Sequence, residues 1–76
     1  MIVPVKALIY ENDELESVEL LGNIRVDNYD RVSFKTYKHY ENIAKYIAGD
    51  RKYQVLVNEK RVIRLYEKGK YGYLMY

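Results

Sequence analysis

Apolar and polar residues alternate along much of the chain, a pattern typical of strands that lie with one face on a core. Residues 2–10 are rich in β-branched side chains and precede the polar tetrapeptide at 11–14, which together predict a strand and a reversal. A second extended segment runs from about 15 to 26, and Gly22 interrupts it with either a bulge or a short turn. One bent strand and two shorter strands both fit this segment.

The spacing of apolar residues changes in the middle of the chain. Residues 32–36 alternate at a period of two and predict a third strand. The apolar residues that follow have helical spacing and predict a helix over about 37–48. Its buried stripe would consist of Tyr40, Ile43, Ala44 and Ile47. Thr36 is placed to cap the first turn, and Gly49 is placed to end the helix in the left-handed conformation.

The last third of the chain predicts an antiparallel meander of three strands. Extended runs at 52–58 and 61–67 flank a connection at 58–60, and Lys68–Gly69 separates the second run from residues 70–76. The complete order is β-β-β-α-β-β-β. We therefore expect a single α+β domain over residues 1–76, in which an antiparallel sheet of about five or six strands packs on one helix.

The register of this meander decides which side chains share a face, because successive residues of a strand point to opposite sides. A two-residue turn at Lys68–Gly69 and a three-residue connection at 58–60 are the simplest connections. The turn gives the pairs Tyr66 with Tyr71, Arg64 with Tyr73, Val62 with Met75, Leu65 with Gly72, and Ile63 with Leu74. The connection gives the pairs Val55 with Ile63 and Tyr53 with Leu65. A three-residue turn at 68–70 would instead move Tyr71 and Tyr73 to the opposite face.

These pairs divide the meander into two faces. The aliphatic face fits under the helix and consists of Tyr53, Val55, Val57, Ile63, Leu65 and Leu74. The other face is aromatic and basic and consists of Lys52, Gln54, Arg64, Tyr66, Tyr71 and Tyr73. Rings on an open sheet give nucleic-acid bases a stacking platform, and interleaved Arg and Lys contact phosphates. Cross-strand tyrosine pairs that only stabilise the sheet would give the same pattern.

The net charge of +2 hides a difference between two parts of the chain. Residues 1–50 contain six Lys or Arg against nine Asp or Glu, whereas residues 51–76 contain seven against two. A basic C-terminal part attracts phosphate or an acidic partner. Basic residues that keep a strand edge from aggregating would give the same excess.

We therefore expect a small nucleic-acid-binding domain that is not an enzyme. Its binding residues would be Lys52, Arg64, Tyr66, Tyr71, Tyr73, Lys68 and Lys70, with Arg51 and Arg61 at the rim. The alternative is a protein-interaction module or inhibitor, with a protein partner or as a homodimer, in which the same tyrosines dominate the interface. The acidic residues at 13–19 would then orient the partner. The composition, rich in Tyr, Ile and Lys and free of Cys, resembles that of accessory proteins of phages, archaeal viruses or plasmids.

Residues with catalytic or metal-binding chemistry are few. The chain has no Cys and a single histidine, His39, which we interpret as a surface residue, so we expect no metal site and no cofactor. The acidic residues at 11–19 lack the spacing of a calcium loop, and neither serine lies in a nucleophile motif. Pro4 and Lys6 interrupt the first apolar run, and later runs are far shorter than the roughly 20 residues of a membrane span. We expect a cytoplasmic protein with no membrane partner.

Overall fold

The computed structural model describes residues 1–64 and 70–75, with the backbone alone at Arg64. Within these residues the elements are β1 Ile2–Glu11, β2 Glu14–Arg25, β3 Arg31–Ser33, α1 Phe34–Ala48, β4 Lys52–Val57, β5 Lys60–Arg64 and β6 Tyr71–Leu74. The strands form one sheet in the order β2-β1-β4-β5-β6-β3, and each neighbouring pair is antiparallel. The predicted α+β class and element order are confirmed.

The core lies between the curled sheet and α1. Alternate residues of β1, from Val3 to Ile9, expose at most 3% of their surface, because successive side chains of a strand point to opposite faces. The helix contributes Tyr37, Ala44 and Ala48. The other buried residues are Ile24, Val26, Val32, Val55, Val57 and Leu74. The opposite side of the sheet, turned away from α1, is called the outer face below.

The first two strands form a hairpin with a tight turn. Asn12 and Asp13 have φ values of 51° and 65°, which these residue types tolerate better than most. The second segment is one bent strand: Lys6 pairs with Leu20 and Val5 pairs with Gly22, so Leu21 is the extra residue of a bulge. Gly22 has a φ of 157°, and a Cβ atom there would lie 2.8 Å from the Tyr40 hydroxyl oxygen. The helix packs close to the strand at this point.

The helix begins at Phe34 and not near residue 37, so the predicted third strand is limited to Arg31–Ser33. Thr36 is therefore inside the first turn, and Ser33 occupies the N-cap position without a side-chain hydrogen bond to the helix. The Phe34 N–H donates to the Lys70 carbonyl oxygen at 2.7 Å. A contact with the segment before β6 thus takes the place of a local cap, and this contact joins parts of the chain that are far apart in sequence.

The helix ends at Gly49 as predicted. Gly49 has a φ of 67°, and its N–H donates to the Lys45 carbonyl oxygen at 3.0 Å. The buried stripe differs from the predicted one, because Ile47 is 37% exposed and Ala48 is buried in its place. Ala44 is buried as predicted, and small alanine side chains suit the close contact between the helix and the sheet.

The connection between β4 and β5 is shorter than predicted. Asn58 and Glu59 have φ values of 53° and 63° and form a two-residue turn, so Val57 pairs with Lys60 and Leu56 pairs with Arg61. The three-residue connection predicted at 58–60 is wrong. A shift of one residue turns every side chain of a strand to the other face. Val62 consequently packs against the core, and Ile63, predicted to be buried, is 47% exposed on the outer face.

The register between β5 and β6 also differs by one residue from the predicted one. The structure pairs Val62 with Leu74, Ile63 with Tyr73, and Arg64 with Gly72. The predicted partners of Arg64, Val62 and Ile63 are therefore wrong. The two errors cancel in β6, where Tyr71 and Tyr73 lie on the outer face and Leu74 lies in the core, as predicted. The predicted turn at Lys68–Gly69 and the residues Leu65 and Tyr66 lie outside the described residues.

Candidate functional site

The outer face of the sheet has two chemically different ends. At the β6-β3 end it presents tyrosines beside an arginine, and at the β1-β2 end it presents aliphatic side chains. The strand register places on it Tyr71 and Tyr73 of β6, Arg61 and Ile63 of β5, Gln54 and Leu56 of β4, Lys6 and Leu8 of β1, and Val18 and Leu20 of β2. These positions follow from the pairs of the sheet, since directly paired residues share a face.

At the β6-β3 end lies a Tyr-Arg cluster made of Tyr29, Arg31, Tyr71 and Tyr73. Arg31 is paired directly with Tyr73 across the two strands. The central guanidinium carbon of Arg31 lies 4.9 Å from the ring centroid of Tyr71 and 5.2 Å from that of Tyr29. Both distances are within the range of a cation-π interaction. The rings are accessible from solvent, with 74% of Tyr29, 42% of Tyr71 and 37% of Tyr73 exposed.

Asp27 fixes the position of Arg31 in this cluster. One carboxylate oxygen of Asp27 accepts hydrogen bonds from the N–H groups of Tyr29 and Arg31, each at 2.9 Å. The other oxygen accepts from Nε of Arg31 at 2.7 Å. The Arg31 N–H, followed by the Arg31 side chain and the Tyr29 N–H, lowers the pKa of Asp27 below its ordinary value. The same carboxylate raises the pKa of Arg31, so the pair is fully charged at neutral pH.

The loop before β3 is tied to β6, and this holds Tyr29 beside the other rings. The Asp30 N–H donates to the Asp27 carbonyl oxygen at 3.1 Å, which closes a turn. The Asp30 carbonyl oxygen then accepts from the Leu74 N–H at 3.0 Å. Asp30 has a φ of 56°, a conformation in which aspartate is enriched. The cluster therefore depends on both ends of one loop and on the neighbouring strand.

Two lysines lie next to the cluster. Lys35 and Lys70 are exposed and line an open pocket of 460 Å³ with Ser33, Phe34 and Tyr71. The pocket adjoins the first turn of α1, which contains no acidic residue. The N-terminus of a helix carries partial positive charge, so it adds to the two ammonium groups. Positive charge therefore lies beside Tyr71, although Asp27 is paired with Arg31 and reduces the net charge of the cluster.

The structure brings together three of the residues predicted to bind, Tyr71, Tyr73 and Lys70. Lys52 lies at the start of β4, pairs with Tyr10, and makes an exposed ion pair with Asp13 at 3.2 Å. The register places Arg64 opposite Gly72 and not opposite Tyr73, so the predicted Arg64-Tyr73 pair is wrong. Tyr66 and Lys68 lie outside the described residues.

The two arginines predicted at the rim have different surroundings. Arg51 donates to the Ala48 carbonyl oxygen at 3.0 Å and the Ile47 carbonyl oxygen at 3.1 Å, and it bonds Glu16 at 2.8 Å. These contacts make Arg51 a cap for the end of α1, which suits a cation at a helix C-terminus. Arg61 lies on the outer face, where its Nη2 is 3.3 Å from the sulfur of Met75.

The sequence prediction missed Tyr29, Arg31 and Lys35. An Asp at the start of a turn followed by Arg four residues later is a local signal for the Asp27-Arg31 contact, because aspartate often accepts hydrogen bonds within its own turn. No local signal indicates that β3 pairs with β6. That pairing, Arg31 to Tyr73 and Ser33 to Tyr71, spans about half of the chain and places Arg31 at the rings.

The β1-β2 end of the outer face carries an aliphatic patch made of Leu8, Val18, Leu20 and Leu56. Lys6 pairs with both Leu20 and Leu56, and Leu8 pairs with Val18, so the four side chains surround Lys6. Lys6 forms an ion pair with Glu59. Val18 and Leu20 are 51% and 66% exposed, and their strand, β2, is an edge of the sheet.

Comparison with models of known protein families, with curated proteins and with solved structures finds no match. In residues 1–64 and 70–75, no three His, Asp or Glu side chains lie close enough together to hold a metal ion. The same part of the chain contains no helix with the length and apolar character of a membrane span.

Proposed function

We propose that the protein is a small, non-enzymatic nucleic-acid-binding domain that uses the Tyr-Arg cluster as its contact surface. The observation that carries this proposal is the position of Arg31, whose guanidinium lies over the rings of Tyr71 and Tyr29 and which is paired across the strands with Tyr73. A cytoplasmic location, supported by the short apolar runs of the sequence, and a role as an accessory protein of a virus or plasmid, supported by the resemblance in composition, belong to the same proposal.

The cluster combines the two interactions that nucleic-acid surfaces use. Exposed aromatic rings stack on bases and contribute about 1–3 kcal/mol per base. Cations near the rings contact phosphates, and here Lys35 and Lys70 lie beside Tyr71. Arg31 serves both purposes, because a guanidinium is planar, stacks on rings and binds phosphate with two N–H groups.

The proposed site modifies the one predicted from the sequence. Tyr71, Tyr73 and Lys70 are kept, and Tyr29, Arg31 and Lys35 join them because the structure brings them to the same place. Lys52 is left out, since it lies on the strand that pairs with β1 and is engaged with Asp13. Arg64 is left out as well, since β5 pairs it with Gly72 and not with Tyr73. Tyr66 and Lys68 stay predictions from the sequence.

The test is fluorescence anisotropy with labelled random-sequence oligonucleotides at low and near-physiological salt. The proposal expects saturable binding that weakens with salt. Arg31→Ala should reduce the affinity, whereas Lys45→Ala should not, although both remove one positive charge. Lys45 is exposed in the last turn of α1, ten residues along the helix from Lys35. Equal losses in the two variants, with unchanged melting curves, would mean that only net charge matters and would contradict the site.

A second candidate function is self-association through β2. This edge strand has 12 residues, and Leu15, Val18 and Leu20 on it are each more than half exposed. Long edge strands with apolar side chains invite pairing with a second copy. Light scattering at micromolar and millimolar concentrations tests this candidate, with Leu20→Lys as the variant that should keep the protein monomeric. A wild-type protein that is monomeric throughout would exclude it.

A further inference from the structure

The two tyrosines of β6 are spaced for bases that are not stacked on each other. Tyr71 and Tyr73 lie on the same face, two residues apart. An antiparallel strand rises about 3.4 Å per residue, so the two ring positions are separated by roughly 6.8 Å. Bases in a duplex follow one another at about 3.4 Å along each strand. Two bases that lie on these rings must therefore be drawn apart.

A duplex also hides the surfaces that rings bind. Its bases cover one another, and only their edges are accessible in the grooves. The cluster offers ring faces and the plane of a guanidinium, which recognise the flat side of a base that has left the stack. The exposed area of Tyr29, Tyr71 and Tyr73 suits such contacts, because each of these residues keeps more than a third of its surface accessible while Arg31 lies over two of the rings.

The charge near the cluster is too small for a protein that depends on phosphate contacts. Among the described residues, the cations beside the rings are Arg31, Lys35 and Lys70, with Arg61 diagonal to Tyr73, and Asp27 and Asp30 lie in the adjoining loop. A protein that depends on phosphate contacts neutralises about six to ten phosphates of a duplex. With at most four cations in this part of the described structure, stacking must supply much of the binding free energy, and stacking needs open bases.

On the basis of the proposed function, we infer that the ligand of the Tyr-Arg cluster is single-stranded nucleic acid, held by bases splayed over Tyr71, Tyr73 and Tyr29. Arg31 orders the platform and contacts the backbone, with Lys35 and Lys70 at its border. The three or four cations of the described residues predict a shallow salt dependence, a slope of about −2 to −3 in a plot of log affinity against log salt.

The experiment compares a short mixed-sequence single strand with the duplex of the same sequence, both labelled, by anisotropy over a salt series. We expect the single strand to bind at least about tenfold more tightly, as loss of one or two stacked bases implies. Equal or tighter binding of the duplex would overturn the inference and leave the proposed function standing. Failure of both ligands to bind at low salt would overturn both.

Variants of a single ring complete the test. Tyr73→Ala should weaken single-strand binding by about tenfold, and Tyr73→Phe should keep most of the affinity because it retains the ring. Tyr46→Ala is the matched control, since Tyr46 is 89% exposed on the helix and belongs to neither end of the outer face. Loss of affinity in Tyr73→Phe equal to that in Tyr73→Ala would contradict stacking. The comparison of single strand with duplex uses the wild-type protein alone, so the inference can still be tested if a variant fails to fold.

Discussion

The two ends of the outer face expose apolar surface in different ways. In the aliphatic patch, Val18 and Leu20 are exposed on an edge strand, and their direct neighbours are aliphatic side chains and Lys6. In the Tyr-Arg cluster the rings are held by a guanidinium, which is held in turn by Asp27. Exposed area alone therefore does not define a site. Directed polar contacts hold the side chains of one end in a defined arrangement, and the other end lacks such contacts among its described apolar side chains.

The comparison also separates the possible ligands. An aliphatic surface contributes binding free energy through burial, which is largely independent of direction and suits another protein surface. A stack of rings and a guanidinium has a preferred plane and suits a flat, electron-rich partner such as a base. Substitutions at the two ends should consequently affect different measurements.

The largest effect is expected at the glycine between the two tyrosines of β6. A Cβ atom at Gly72 would collide with Cγ1 of Val62 and lie 3.2 Å from the Ile63 carbonyl oxygen. We expect Gly72→Ala to lower the free energy of unfolding by about 1–3 kcal/mol, because the core there has no spare volume. Urea denaturation measures it. Adding Val62→Ala should recover part of the loss, and strictly additive effects would show that the collision is not the cause.

The next effect concerns binding at the cluster. Arg31→Ala should weaken single-strand binding about tenfold, equivalent to roughly 1.4 kcal/mol, because it removes both a stacking surface and a cation. Leu20→Ala in the aliphatic patch should leave the affinity within about twofold. Titrations of both variants at one salt concentration measure the contrast. If Leu20→Ala reduces the affinity for the single strand as much as Arg31→Ala does, the proposed distinction between the two ends is wrong.

A smaller effect, an increase in the free energy of unfolding, is expected at the Asn58–Glu59 turn, which sets the register of β5. Glu59 has a φ of 63°, a conformation that glycine adopts without steric cost. Glu59→Gly should raise the free energy of unfolding by about 0.5–1 kcal/mol. Glu59→Ala is the control, because it removes the ion pair with Lys6 without relieving the backbone. Thermal and urea denaturation of both variants measure the change in the free energy of unfolding. If Glu59→Ala also raises this free energy, loss of the ion pair with Lys6, and not relief of the backbone, is the cause.

The smallest effect is the pH dependence of the Asp27 contacts. Hydrogen bonds from Arg31 and Tyr29 lower the pKa of Asp27 from 3.8, so the folded state favours the charged form. The resulting stabilisation is present above the pKa of the unfolded chain and is lost as pH falls through the lower, folded value. Wild type should therefore exceed Asp27→Asn in urea stability at neutral pH, and the difference should shrink below about pH 4. If the difference in urea stability between wild type and Asp27→Asn stays the same in acid, the charge of Asp27 is not its cause.

The sequence determined the elements and the class of the fold. The alternation in residues 2–10 and 52–57, the helical spacing around Ala44 and the glycine at 49 are local signals, because they arise from the chain's own periodicity and conformational preferences. They sufficed to predict the order β-β-β-α-β-β-β. They also placed Tyr71 and Tyr73 on the face away from the helix, although two register errors had to cancel for that.

The register of β5 and the pairing of β3 with β6 depend on contacts between distant parts of the chain. The register depends on Glu59 adopting a left-handed conformation that its residue type disfavours, and the hairpin as a whole compensates for that cost. The pairing brings Arg31 to Tyr73 from a distant part of the chain. Such contacts are selected by the packing of the complete sheet, so the chemistry of the cluster is absent from any single segment. The sequence pattern alone indicates that Tyr71 and Tyr73 share a face, whereas the pairing of β3 with β6 brings Arg31 to them.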